Sequence, residues 1–495
     1  MSHPHRPVFV LRLSRGIVAF AVCGLFALAL FATPAHASYE WLGAVNGEFG
    51  ASGEGIFGVG ASGIAVDDAT GDVYVANSFT PRVTEFDPEG KFLGALGWNV
   101  TATGPDKAGV DQVEGLTVRA SAGKFKLEYL GGKTGELDFN VSAHEMEEAL
   151  DGLATIGGVG GAIKVSGGPG DATGSKPYIL TFEGALGDNE EGSISSIEEN
   201  GLSGGSPSSA VERELVTEGV SAFESCVLAN GDICRQQNRS HGEGVGQFNH
   251  PSGVAVDNSC ALHVPMLTEV TTPSCKEFDP FDGDVYVLDN QRQKGVVQVF
   301  TSEGAFVTSF GEKVGPGPVG PSPEKIHVLS TGIAVGPAGE VYIDDSAPRA
   351  KDTLTVVEVA ESRVMVFKPN GLGYEYAGRS HDIAVGYGPE NVAVDAAGNV
   401  YITDEDGIKN GHVFMFAAGE PTTPACESEA EYRLASLAVN PLTGQSFVHI
   451  EHPQGFHQLG PCDAQTKSLR ETASFPAIAK EEEAVALAFN PVPTF

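Results

Sequence analysis

Apolar and polar residues alternate with a period of two in short runs, and Gly, Asp and Pro punctuate them. One unit recurs along the chain. An apolar strand ends in Ala-Val-Asp or a close variant, a Gly-bearing turn follows, and a second strand reads Val-Tyr-Val or Val-Tyr-Ile. The copies begin Gly63-Ile-Ala-Val-Asp67, Gly253-Val-Ala-Val-Asp257, Gly332-Ile-Ala-Val-Gly336, Asn391-Val-Ala-Val-Asp395 and, more loosely, Ser436-Leu-Ala-Val-Asn440. Their second strands lie at 72–75, 284–287, 340–343, 399–402 and 445–448. A third strand follows at 82–86, 296–300, 363–367 and 412–416, and a fourth is visible at 91–96 and 305–310. This pattern predicts antiparallel meanders. A sixth unit opens at Val485-Ala-Leu-Ala-Phe489 and has no room for its middle strands before Phe495.

Four-stranded meanders repeated at this spacing predict the blades of a radial β-propeller, which protects its sheet edges by closing a ring. The units resemble NHL repeats, and residues 251–310 carry the fullest copy of that pattern. The resemblance spans 38–100 and about 220–495 and implies a propeller of about six blades, the last incomplete, without implying one activity. The segment 39–45 reads as an outer strand suited to completing the last blade. The missing middle strands point to a chain truncated after Phe495.

Residues 101–219 break the repeat. Alternating Phe125, Leu127 and Tyr129, then Leu137, Phe139 and Val141, predict two strands. Ser142 and Glu145 form a capping-box pattern opening a short helix, with Met146, Ala149, Leu150 and Leu153 along one buried stripe. Further strands are expected at 162–165, 178–182 and 211–216, giving a small inserted ββαβββ domain of α+β type. Asn140–Leu153, Val165–Gly170 and Tyr178–Leu186 resemble a repeat found in secreted bacterial surface proteins, which brings no catalytic residues with it.

The N-terminus adds a compartment. Arg6, Arg12 and Arg15 precede an apolar run at 16–32, and Ala35-His36-Ala37 follows. That order predicts a secretory signal peptide over 1–37, with no later segment apolar enough to span a membrane. Acidic residues number 65 against 30 basic ones, for a net charge of −35. Such a field opposes nucleic-acid binding. Six cysteines follow the leader, and export makes disulfides the natural reading. Fifteen pairings of six cysteines are possible, and the expected one is sequential, Cys226–Cys234, Cys260–Cys275 and Cys426–Cys462, which closes three local loops. No C-x-x-C pair suggests a zinc knuckle.

Candidate chemistry is sparse. His449 and Glu451, two apart, share a strand face and could ligate zinc with His457. Asp404, Asp406 and Asn410 space oxygen donors as calcium loops do, without the closing Glu of an EF-hand. Asp289, Asn290, Asp344 and Asp345 end second strands, where they are expected to accept backbone N–H bonds and shape the following turn. No nucleophile elbow or phosphate loop occurs. No catalytic residue and no cofactor is therefore assigned, with calcium or zinc as the ions left open. The expectation is a secreted or cell-surface, non-enzymatic binding or scaffold protein for an extracellular protein or glycan. The alternative, by family analogy alone, is a metal-dependent propeller enzyme of lyase or lactonase type.

Overall fold

The computed structural model describes residues 9–12, 61–188, 192–197, 201–234, 242, 246–259, 280–291, 294–311, 326, 330–345, 363–371, 373–378, 381–384, 389–405, 411–428, 434–450, 455–476 and 487–490. The chain divides into two compact units. The first comprises 1–47, 57–92 and 243–495, and the second 48–56 and 93–242.

The first unit consists of antiparallel meanders. Its first blade contains Ala61–Val66, Val73–Asn77 and Arg82–Phe86. The second contains Pro251–Val256, Val285–Gln291, Lys294–Phe300 and Phe306–Phe310 in sequential order. The third is built on Ile333–Val335, Val341–Asp345, Arg363–Asn370 and Gly373–Tyr376, and the fourth on Pro389–Val394, Val400–Glu405, Gly411–Phe416 and Cys426–Ser428. The fifth contains Leu434–Val439, Ser446–Ile450, Gly455–Leu459 and Glu471–Pro476. Its last two strands were not legible in the repeat pattern. His449 and His457 lie on its two paired middle strands, Ser446–Ile450 and Gly455–Leu459.

Second strands are buried on both faces, because each blade packs against its neighbours. Val285, Tyr286, Val287 and Leu288 are all shielded from solvent, which accounts for an unbroken apolar run where a one-sided sheet would alternate. The aspartate ending a first strand has a separate task. Asp395 Oδ1 accepts from the amides of Ala397 and Asn399 (3.0 and 2.9 Å), and the Tyr401 hydroxyl donates to its Oδ2 (3.3 Å). Asp257 does the same with the Ser259 amide and the Tyr286 hydroxyl. The recurring Asp and Tyr thus form one hydrogen-bonded device that folds the turn back onto the second strand. Gly398, at φ 80°, completes that turn in a conformation that suits glycine.

A second device joins the blades. Ser62 Oγ donates to the Pro251 carbonyl (2.7 Å), Ser252 Oγ to the Ser330 carbonyl (2.9 Å), and Thr331 Oγ1 to the Glu390 carbonyl (2.9 Å). Each hydroxyl residue precedes a glycine that admits the next strand. A Cβ on Gly63 would stand 2.8 Å from the Val254 nitrogen, and one on Gly253 would stand 2.5 Å from the Thr331 carbonyl oxygen. A Cβ on Gly332 would meet the Asn391 Cα at 2.9 Å. The repeating Ser/Thr-Gly pair is therefore the seam that joins the first four blades in turn.

The ring closes at its innermost layer. Leu487–Asn490 lies against the first strands of both the fifth and the first blade, completing a circuit of six inner strands. The repeat pattern predicts a sixth unit begun at 485–489, and Leu487–Asn490 is an inner strand at that position. One strand suffices to bridge the inner circuit, whatever outer strands accompany it. Leu487–Asn490 also pairs in parallel with Phe9–Arg12, inside the predicted leader. The expected outer strand at 39–45 lies outside the described residues. Radial antiparallel blades around a closed inner circuit define a β-propeller.

The second unit has a sheet ordered Gly161–Gly167, Tyr178–Gly184, Val113–Arg119, Ala210–Thr217, with smaller pairings around Lys124–Tyr129. Helix Ala143–Asp151 opens with the expected capping box: Ser142 Oγ accepts from the Glu145 amide, and Glu145 accepts from the Ser142 amide. Met146 and Leu150 are fully buried against Phe125, Leu127, Tyr178 and Phe182. Strand Val113–Arg119, an inner member of the sheet, was missed: Glu114 and Gly115 interrupt its apolar alternation. Glu114 is nonetheless buried, held by Arg213 at 2.7 Å. The unit also extends past 219, taking in Phe223–Val227 and the Cys226–Cys234 disulfide.

Candidate functional site

The geometry separates the candidate zinc ligands. On the fifth blade Val448 stands opposite His457, and His449 opposite Phe456. Directly opposed residues share a sheet face and neighbours alternate, so His449 and His457 project from opposite faces. His449 is buried with its ring 5.0 Å from that of Phe456. His457 Nδ1 sits 3.0 Å from Glu471 Oε2. Glu451 lies outside the described residues. For the calcium candidates, Asp404 is buried at the end of the fourth blade's second strand, while Asp406 and Asn410 lie outside the described residues. Among the described residues no group of three or more His, Cys, Asp or Glu is arranged to hold a metal ion.

The aspartates ending second strands bind backward rather than forward. Asp289 Oδ1 accepts from the amides of Asn249 and His250 (3.0 and 2.6 Å), and Asp344 from the Thr331 amide (2.8 Å). Both fasten the segment leading into the first strand of their own blade, not the turn after the second. Asn290 instead donates to Ser252 Oγ in its own blade and to the Ser330 carbonyl, which leads into the third blade. Burial holds the Asp344 carboxyl well above the usual carboxylate range. Asp345 instead meets Arg363 Nε at 3.1 Å, and Arg363 Nη1 reaches Asp382 at 2.7 Å and the Tyr376 hydroxyl at 3.0 Å. This buried set ties together the outer part of the third blade.

Two concavities of the first unit are lined by described residues. The axial one, of about 150 Å³, is walled by aliphatic residues from five inner strands, such as Ile64, Val254, Ile333, Val392 and Leu437. Its polar residues, Asp68 and Asn258, are engaged with each other: the Asp68 amide donates to Asn258 Oδ1 at 2.9 Å. The larger is an open groove of about 1060 Å³ at the turns of the third, fourth and fifth blades. Pro337, Ala338, Ala397, Leu442, Thr443 and Pro461 form its rim, and Asp395, Asn399 and Tyr401 its polar floor. Leu442 is 55% exposed there. Cys462 joins the wall through its disulfide to Cys426 on the outer strand of the fourth blade. The turns Asp395–Asn399 and Asn440–Gly444 are readable from sequence as turns; that they border one groove is not.

Two of the three expected disulfides are present, Cys226–Cys234 and Cys426–Cys462; Cys260 and Cys275 lie outside the described residues. No helix among the described residues is long and apolar enough to cross a membrane.

Comparison with known proteins adds little beyond the propeller class. The family model described as strictosidine synthase-like, N-terminal, matches residues 381–408, a short stretch that begins in the sheet of the third blade and runs into the fourth. A chain of a nidogen/laminin complex is similar in structure at 11% identity, with 74% of this chain and 94% of that one covered and a TM-score of 0.28. The Cps50 (Swd1) β-propeller domain of Myceliophteria thermophila matches at 7% identity over 87% of this chain and 90% of its own, at a TM-score of 0.36. A chain of a mitotic checkpoint complex matches at 9% identity over 97% and 94%, also at 0.36. Likenesses this distant carry no functional argument. No curated protein matches the chain in sequence.

Proposed function

We propose that this is a secreted or cell-surface binding protein whose propeller holds an extended protein or glycan partner in the groove over its third to fifth blades. The observation that supports this reading is the groove itself. It is open, rimmed by small and apolar residues, and floored by acceptors already fixed in place by the turns. A rigid scaffold presenting loops in this way suits recognition. Its floor carries one carboxylate, Asp395, whose oxygens are occupied by turn amides, Asn399 and Tyr401. That arrangement offers neither an activated nucleophile nor an acid–base pair. The predicted leader and the two disulfides favour an oxidising, extracellular setting, and the acidic charge favours partners other than nucleic acid.

The test is a screen of the purified mature protein against a glycan array and a displayed extracellular-protein library, run beside Leu442→Arg. Hits lost in Leu442→Arg support the groove; hits retained at equal strength place binding elsewhere. Metal analysis after dialysis against chelator addresses the enzymatic alternative. Stoichiometric zinc or calcium that survives would overturn the purely binding reading.

A further inference from the structure

Asp68 stands in the wall of the axial cavity, where it is 5% exposed. Among the described residues, nothing donates a hydrogen bond to its carboxyl oxygens and no cation stands beside it. Burial, with Asp67 adding repulsion, holds this carboxyl well above the usual carboxylate range. Asp67 makes the contrast, since its Oδ1 accepts from the Ala69 amide at 2.7 Å. Asn258 is already engaged: its Oδ1 takes the Asp68 amide and its Nδ2 donates to the Val66 carbonyl, both at 2.9 Å. A buried polar group left in this state calls for an explanation.

The turn does not require it. In the second to fifth blades the same repeat position holds Asn258, Pro337, Ala396 and Pro441. The last three of these line the groove, so Asp68 stands at the groove's end of the ring, and Pro441 lines both concavities. Inward from Asp68 the cavity is aliphatic, with Val66, Val256, Val335, Val394 and Val439 in its wall. Its volume of about 150 Å³ suits a single aliphatic side chain. The occupant therefore needs an aliphatic group to go in, a cation beside its base, and a continuation toward the groove.

The geometry points to a socket for the free N-terminus of an extended polypeptide: the α-ammonium pairs with Asp68, and an aliphatic first side chain fills the axial cavity. The chain then leaves past Pro441 into the groove, so the inference rests on the reading of that groove as the seat of a protein partner. Capture of a terminal amine is an established mode of peptide recognition. A lysine side chain is the poorer occupant, because its charge lies at the tip and would be carried past Asp68 into the aliphatic interior. The net charge of −35 draws cationic groups toward the surface.

The purified protein would be titrated by fluorescence anisotropy with Leu-Ala-Pro-Ala-Ser labelled at its C-terminus, with its N-acetylated form, and with the form beginning in Gly. The free Leu peptide should bind at least about tenfold tighter than either control. Asp68→Asn should abolish the preference for the free amine without lowering the unfolding midpoint. Leucinamide, which reaches only the socket, should displace the peptide from the wild-type protein. Equal binding of the acetylated peptide, no measurable binding of the free one, or an unchanged preference in Asp68→Asn overturns the proposal. Tighter binding of an acetylated peptide carrying an internal Lys overturns it in favour of a lysine side chain. Leu442→Arg separates the two sites: if it spares both peptide and leucinamide, the groove reading fails while the socket stands. Should Asp68→Asn fail to fold, the acetylation comparison on the wild-type protein still decides.

Discussion

Gly253→Ala isolates the seam between blades. The glycine has an ordinary backbone conformation, so an alanine is not strained by its φ, and the whole effect must come from the neighbour. The added Cβ would lie 2.5 Å from the Thr331 carbonyl oxygen and 3.0 Å from Ile333 Cγ2. The first atom is main chain in the adjacent inner strand and cannot swing aside. Relief requires the second and third blades to part by several tenths of an ångström, which also stretches the 2.9 Å bond from Ser252 to the Ser330 carbonyl. Overpacking of this kind costs about 1–3 kcal/mol, and weakening the buried bond adds about 1 kcal/mol. Gly283→Ala is the matched control. It sits at φ 79° with open space around its Cβ, so it carries only conformational strain of roughly 1–2 kcal/mol. Calorimetry of both variants, resolving the propeller transition from that of the second unit, should place Gly253→Ala below Gly283→Ala in stability. A Gly253→Ala transition indistinguishable from wild type would refute the close-approach account of the repeat.

Burial raises the Glu85 carboxyl to about 7, with further repulsion from Asp72, Asp67 and Glu303 and a counteracting bond from Tyr74. A carboxyl with a raised folded-state pKa resists ionising in the fold. Stability should therefore fall as pH rises from about 4.5 through 7, by on the order of 3 kcal/mol. Glu85→Gln should flatten that decline in denaturant titrations at pH 5 and 8, and an unchanged slope would refute the cause. Tyr401→Phe removes one donor to Asp395 and should cost about 1 kcal/mol; a neutral result would show that the turn amides alone fix Asp395. Replacing Cys426 and Cys462 by Ser opens a 36-residue loop and should cost about 4 kcal/mol, against about 2.5 kcal/mol for the 8-residue loop of Cys226 and Cys234. Equal midpoint shifts would contradict the loop-length argument.

Much of the propeller was legible because its devices are local. Asp395 and Tyr401 lie six residues apart and bond within one blade, so the motif announces the turn that it makes. Gly253 was visible in the recurrence but Ser252 before it was not, and because the bonding partner at Ser330 is distant in sequence, nothing local reveals that contact. The fifth blade hid its outer strands because Gly455–Leu459 carries Phe-His-Gln-Leu where the third strands of the other blades read Val-x-x-Phe. The groove was invisible for a related reason: its rim comes from turns of three blades, each ordinary alone. Pairing of His449 with His457 failed on strand parity, which spacing across an unknown turn does not fix. Val113–Arg119 was missed because a buried glutamate breaks its alternation, and its partner Arg213 lies far along the chain.

The seam at Ser62, Ser252 and Thr331 has a consequence for ancestry. The second and third units each bring a hydroxyl for the unit after and a carbonyl for the unit before, so both halves of the joint travel in one stretch of coding sequence. Tandem duplication of such a stretch inserts a segment that already fits its new neighbours on both sides. Deletion leaves a joint that re-forms between the survivors. Gain and loss of blades can thus proceed by recombination alone, and the ring's circumference is open to drift in a way that a fold with bespoke interfaces is not.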